Sequence, residues 1–311
     1  HQRVLFETIP GDQVAGGMLD EAAKLFSEHY GIWSQQSHKP GTKYPDTKTS
    51  LFLHVIISDL RLTYRQRIKI SGRRLREQHL PEYATTFYVR VTVGDCYAGH
   101  AFACHWKYND DDEKTICWVT QLVVHRNYRE KGLASGLLNA LRATADADLY
   151  GIISSNPFPA SQLRRYFGVS AIVSFGSNHK RDHIQNDDPD DPKVGIERVS
   201  LEFMRDHAKE IMETSPIPYV REARLRGSLF EPEDDSTGLI CGVDTNFFID
   251  HTAPLRNLRS IQRDWKWPLG QLPEGHEYLL ILPSKHRLFK SYRRPDSPSG
   301  LGASFLGSVV C

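Results

Sequence analysis

Residues 125–134, HRNYREKGLA, set three cations, Arg126, Arg129 and Lys131, directly before a glycine, Gly132. Behind the glycine, Leu133, Ala134, Leu137, Leu138 and Leu141 recur at three- and four-residue steps. That spacing places them on one face of a helix. The opening N–H groups of a helix have no partner within it, and its dipole favours an anion there. A glycine at that point lets a ligand approach the backbone closely. The chemistry these residues suit is the holding of a phosphate group. No Gly-Lys-Ser/Thr follows a glycine at Walker spacing, and no Gly-x-Gly-x-x-Gly is present, so the two commonest nucleotide fingerprints are excluded. His100 and His105, on a neighbouring apolar segment, have side chains that titrate in the range of a general base. His125 lies in the turn itself. A Gly-x-Ser-x-Gly nucleophile turn and a Cys-x-x-Cys pair are absent, which removes the α/β-hydrolase and simple zinc readings. His179 and His183 stand four apart among acidic residues. In so polar a segment they read as a solvated loop, and no metal is expected.

The elements that position these residues can be taken in chain order. Residues 4–9 form a short strand closed by Pro10 and Gly11, and residues 18–30 form an amphipathic helix. Residues 33–50 are a polar loop with two prolines. Residues 51–79 read as one or two helices. Their basic stripe (Arg61, Arg65, Arg67, Lys69, Arg73, Arg74 and Arg76) reads as a solvated face and not a nucleic-acid surface. Residues 85–93 and 96–108 form a hairpin about Gly94-Asp95. Residues 116–124 are a buried strand leading into the basic turn 125–131, and the helix follows from Gly132. Residues 150–154 are a further strand, and residues 160–167 a helix closed by Gly168. Residues 174–192 are a polar, acidic insert. Residues 199–214 are helical, 219–229 read as another basic helix, and 238–250 and 277–283 read as strands.

The segment Arg129, Glu130, Lys131, Gly132, Leu133, Ala134, set between a strand and a helix, resembles the pyrophosphate loop of the GNAT superfamily. Those are the acetyl-CoA-dependent N-acyltransferases, whose pattern is Arg/Gln-x-x-Gly-x-Gly/Ala. Ser154, Ser155, Asn156 and Pro157, with Leu163 and Gly168 behind them, resemble the second recognisable region of that family. The resemblance covers residues 4–175. It implies an α/β (α+β) chain with a GNAT fold, in which helices flank a mixed central sheet. Residues 176–311 would complete or cap that sheet. The whole chain, 1–311, would then be a single domain, with residues 1–175 as the core that carries the acetyl-CoA site; the alternative is a small second domain after residue 195.

The resemblance also implies a chemistry. Leu122, Val123 and Val124 would end the central strand and lie along the pantetheine arm of acetyl-CoA. The backbone from Arg129 to Ala134, with Ser135 next, would hold the pyrophosphate, and Asn156 would stand beside the cofactor. The reaction would be direct attack of a primary amine on the acetyl thioester, with a base for the amine and an acid for the thiolate. Two positions depart from the family. Thr120 and Gln121 stand where many relatives carry a glutamate base, so His100 and His105 become the candidate bases. Arg164 falls where many relatives carry a tyrosine acid, so Tyr166, two residues on, becomes the candidate acid. The alternative is a non-catalytic acyl-CoA-binding or interaction protein on the same fold.

Composition agrees with an ordinary globular protein. In 311 residues, 40% are hydrophobic, 25% are charged and the net charge is +1. No global field steers such a chain to nucleic acid or to an anionic membrane. No apolar run reaches the roughly 18 residues that a membrane-spanning helix requires. The five cysteines are widely spaced and read as reduced, buried thiols, with a cytoplasmic or nuclear location expected. The expected partner is a small-molecule or peptide amine.

Overall fold

The computed structural model describes residues 2–34, 67–109, 114–157, 199–264 and 267–284. Several expectations fall outside these residues: the loop from residue 35 to 50, the stripe as far as residue 66, the helix 160–167 and the acidic insert 174–192. Arg164, Tyr166, Gly168, His179 and His183 are therefore not described.

The described strands form one eight-stranded sheet in the order β1-β2-β3-β4-β5-β8-β7-β6. Its strands are β1 (Val4–Pro10), β2 (Thr85–Val93), β3 (Cys96–Asn109), β4 (Lys114–Val124), β5 (Leu149–Ser154), β6 (Arg224–Arg226), β7 (Gly242–Asp244) and β8 (His276–Pro283). The helices are α1 (Gly16–His29), α2 (Gly72–His79), α3 (Leu133–Thr144), α4 (Leu201–Glu213), α5 (Pro218–Arg221) and α6 (Thr252–Asp264). β4 and β5 run parallel, and every other pair is antiparallel. A parallel pair needs a crossover, and α3 is that crossover. The sheet is mixed and flanked by helices, as the sequence implied.

Alternation along β3 assigns the two faces. Phe102 packs with Tyr88 against Leu19, Ala22 and Ala23 of α1 and Leu75 of α2. Ala101 and Ala103 belong instead to the cluster that holds Leu133, Leu137, Leu138 and Leu141 of α3. Successive strand residues point to opposite faces, so α1 and α2 lie across the sheet from α3. Each of these buried leucines contributes about 1.5–3 kcal/mol of hydrophobic stabilisation. The fully buried Trp118 of β4 lies over Gly151, its register partner on β5. A Cβ on Gly151 would fall 2.2 Å from Trp118 Cε3, so a hydrogen at that position is what admits the indole.

Four expectations are corrected. Residues 67–71 are not helical: Arg67 bridges Ile32, and Ile68, next to it, is buried. Residues 219–229 are not a helix. One helical turn, Pro218–Arg221, gives way to the edge strand β6, and Gly227 then turns the chain at φ +101°. Within 238–250 only Gly242–Asp244 forms regular strand, because Gly238 and Asn246 adopt positive φ on either side. α6 has no counterpart in the expectations, although Leu255, Leu258 and Ile261 recur at three-residue steps behind Asp250, whose carboxylate accepts from the Thr252 N–H at 2.7 Å. The sheet closes with three late strands where two were expected. Among the described residues no helix is long and apolar enough to cross a membrane.

Candidate active site

The turn after β4 is built from unusual backbone. Glu130 and Gly132 both adopt left-handed φ, at +61° and +77°. Gly132 is the N-cap of α3 and supplies no side chain to its first N–H groups. Among the described residues a Cβ at Gly132 would meet nothing within 4 Å, which leaves room beside this helix end. Turns of this kind direct successive N–H groups to one side and make anion-binding concavities. The residues therefore fit a pyrophosphate.

The neighbouring cations divide into two groups. Arg129 donates through Nε to Val124 O at 3.2 Å and through its terminal nitrogen to His29 O. Arg126 donates to His29 Nδ1 at 3.3 Å and to Glu28 O at 3.4 Å. Both guanidiniums cap the C-terminus of α1, where carbonyls lack partners and the dipole is negative. Lys131 does not join them, and its ammonium lies 5.3 Å from the centre of the Tyr128 ring. The His125 ring packs 3.9 Å from that of His29, and its Nδ1 accepts from the Asn127 N–H at 3.1 Å. Burial first, then His125 and Arg126, push the His29 pKa down to about 4.

Beside the turn the sheet splits. β4 pairs with β5 only from Ile116↔Leu149 to Val119↔Ile152. β4 then runs on with β3 to Val124↔Gly99, while β5 runs on with β8 to Ser154↔Tyr278. Thr120 is the extra residue where the β3–β4 register shifts, since Ala103 faces Val119 and Phe102 faces Gln121. Such a bulge bends its strand and raises the local twist. The His125 N–H donates to Ala98 O at 2.9 Å. By alternation Val123 and Gln121 also turn their backbone groups to β3, which leaves those of Leu122 and Val124 facing the split. Among the described residues this edge pairs with no strand as it runs to the turn, where Arg129 takes the Val124 carbonyl.

Tyr219, just inside α5, closes the inner end of the split, where its hydroxyl donates to Thr120 O at 2.9 Å. Glu277 of β8 comes from the other side. It is 8% exposed and sits one residue beyond the Ser154↔Tyr278 pair, level with Ser155. Burial pushes its carboxyl up to about 7, offset in part by the Thr245 hydroxyl and the Ser155 backbone N–H that face it. Burial, and then the charge of Glu277, raise Tyr30 and Tyr219 above the ordinary tyrosine range. The charge of Glu277 is thus felt by both phenols, Tyr219 on α5 and Tyr30 beside α1.

The histidines expected as bases lie elsewhere. His100 is fully buried, and both its nitrogens are engaged. The Tyr97 hydroxyl lies 2.7 Å from Nδ1, and Gln121 Oε1 lies 2.7 Å from Nε2. Gln121 Nε2 in turn lies 3.3 Å from His79 Nε2. An amide nitrogen only donates, so His79 carries its proton on Nδ1 and His100 on Nε2. Burial depresses both imidazoles, to about 3 and about 4, and they stay neutral. The network holds Gln121, one residue from the bulge, and takes up both nitrogens of His100. His105 pairs with Thr85 and Cys117, at the closed end of the β4–β5 seam. Ser135 lies in the first turn of α3 with Leu133 and Ala134. The Asn156 side-chain oxygen accepts from Asn257 of α6 at 3.2 Å, which joins the end of β5 to the C-terminal region. Sequence reasoning missed Glu277, whose only signal is an acid at the head of an otherwise apolar strand.

Residues 53–156 match the model of the acetyltransferase (GNAT) family. No curated protein matches the sequence. Two aminoglycoside acetyltransferases from uncultured soil metagenomic samples are among the similar solved structures. One, meta-AAC0020 in complex with trehalose, is 10% identical, with 45% of this chain and 68% of that one covered at a TM-score of 0.27. The other, HMB0005, is 14% identical, with 59% and 100% covered at a TM-score of 0.29. With a mixed sheet that parts between its two parallel strands beside a helix-capping glycine turn, this chain carries an acetyltransferase domain of the GNAT family, matched over residues 53–156.

Proposed function

We propose that the protein is an acetyl-CoA-dependent N-acetyltransferase that acts on a primary amine of a small molecule or peptide. The observation that carries this reading is the split between β4 and β5, which opens beside the Gly132 turn at the N-terminus of α3. Acetyl-CoA would supply the activated acyl group. The backbone of residues 129–134 and the Lys131 ammonium would hold its pyrophosphate, and the strand edge at Leu122 and Val124 would align its arm. Preorganised N–H groups at such an edge stabilise charge that develops on a carbonyl oxygen. Residues 176–311 are read as part of the same domain, a reading supported by β8, which pairs along β5 and brings Glu277 to the split.

Calorimetric titration with acetyl-CoA, of the wild type and of Gly132→Glu, tests the site. The glutamate would clash with none of the described residues at its Cβ and should leave the fold intact. It would strain a left-handed residue by about 1–2 kcal/mol and set a negative charge against the phosphate. Binding by the wild type and its loss in the variant are expected, and thiol release with a panel of primary amines should follow. A wild type that fails to bind acetyl-CoA refutes the reading. Binding without thiol release for any amine favours the non-catalytic alternative.

A further inference from the structure

Where β4 borders the split it carries Thr120 and Gln121, neither of which can take a proton at neutral pH. Glu277 reaches the same split from β8, on the far side of β5. Its level is set by register: Ser154 pairs with Tyr278, so Glu277 stands beside Ser155, three residues past the last β4–β5 pair at Ile152. Across the gap the Tyr219 hydroxyl is anchored on Thr120 O at 2.9 Å. Among the described residues no cation lies within ion-pair distance of Glu277. A carboxylate that is buried without a counter-charge is costly to folding, and such groups concentrate at functional sites.

We propose that Glu277 is the general base that takes the proton from the acceptor amine, its carboxylate brought to the split by the pairing of β8 with β5. This rests on the acyl-transfer reading above. The nitrogen lone pair forms the new C–N bond at the thioester carbonyl. The C–S bond breaks, and its electron pair leaves on sulfur. Glu277 takes one proton from nitrogen and returns it to sulfur, so an amide and a free thiol leave and the carboxylate is restored. The groups that face it are the Ser155 N–H after β5, the Thr245 hydroxyl after β7, and the phenols of Tyr30 beside α1 and Tyr219 on α5. Neither phenol ionises near neutrality, so the carboxyl is the group at this site that changes charge there.

The test uses the full chain with Glu277→Gln and Glu277→Asp, acetyl-CoA as the calorimetric probe, and thiol release from pH 5.5 to 9 with two primary amines of different pKa. Both variants should bind acetyl-CoA within about two-fold of wild type, which shows that they are folded. In Glu277→Gln, kcat should fall by about 10²-fold or more. The acid limb of the profile near pH 7 should vanish, while a limb that tracks the amine's own pKa remains. Glu277→Asp should keep the limb with a reduced kcat. A Glu277→Gln enzyme that retains both its rate and its limb overturns the assignment and leaves the acyl-transfer reading standing. A wild type that does not bind acetyl-CoA overturns both.

Discussion

Replacing Glu277 by glutamine should change how the stability of the fold depends on pH, whatever the substrate. The folded carboxyl holds its proton to about 7, whereas its ordinary value is 4.5. Between those values the native state binds one proton more than the unfolded chain. Stability therefore falls as pH rises, by about 1.4 kcal/mol for each pH unit. Across the window the loss comes to roughly 3 kcal/mol, a large fraction of the 5–15 kcal/mol that typically holds a domain together. Glutamine has nearly the same shape and an oxygen for the Ser155 N–H, but it does not titrate. The difference in unfolding free energy, variant minus wild type, should be flat below pH 4.5. It should climb by about 3 kcal/mol to pH 8. Urea unfolding of both proteins at half-unit pH steps measures it. The buried histidines slope the other way, since their depressed pKa values make stability rise with pH, but they are present in both proteins and cancel. A difference that stays constant from pH 4.5 to 8 would refute the reasoning. It would mean that the carboxylate is solvated, or paired with a cation from residues not described, and the case for a poised base would weaken with it.

Three further outcomes follow from the geometry. Gly151→Ala drives a Cβ to 2.2 Å from the Trp118 indole and should cost about 1–3 kcal/mol, read as a lowered Tm with shifted tryptophan fluorescence; a wild-type Tm would show that the seam repacks freely. His79→Phe removes an imidazole whose folded pKa of about 3 lies below the ordinary 6.5. Its stabilising contribution is complete above 6.5 and is lost as pH falls towards 3. The acid-side slope of unfolding free energy should therefore become shallower by about 1.4 kcal/mol per pH unit, and an unchanged slope would place His79 in contact with water. Arg129→Ala should fray α1, costing about 1 kcal/mol, yet shift acetyl-CoA affinity by less than about three-fold, while Lys131→Ala should weaken it by about three-fold or more, of the order of one partly screened charge; the reverse ranking would return the phosphate role to Arg129.

The local elements were legible because their signals are local. The leucines of α3 repeat at helical spacing and are buried as that spacing requires, and the Gly94 turn joins β2 to β3 as a hairpin with Val93 opposite Cys96, although a bulge that the sequence does not signal shifts the register at Val91. Arg129 shows where such reading stops. Its type and place beside Gly132 suggested an anion, but its guanidinium is held by the carbonyls of His29 and Val124, and His29 lies 100 residues earlier. The long basic helix expected at 219–229 fails for a similar reason. Arg224 and Arg226 flank Leu225 at strand spacing, and β7 offers them a partner that helical periodicity does not register.

Thr120 and Gln121 stand on β4 where a glutamate base is looked for, and the substitutes offered, His100 and His105, lie close to it in sequence. His100, fully buried, and His105, half-buried, are on the adjacent strand β3, which lies on the paired side of β4. What a base needs is access to the gap, and β8, on the other edge of β5, reaches past the end of that strand at Ser154 with Glu277. β8 is added there by the C-terminal half of the chain, about 150 residues downstream of the bulge at Thr120. Glu277 also acquires its proton affinity only in that setting, because burial and not residue type lifts it to about 7. A carboxylate at the head of EYLLILP reads as an exposed strand start until the partner of that strand is known. Position and pKa thus arise together from one event, the pairing of β8 with β5, and a substitution that disrupts Ser154↔Tyr278 should remove the acid limb even with Glu277 intact.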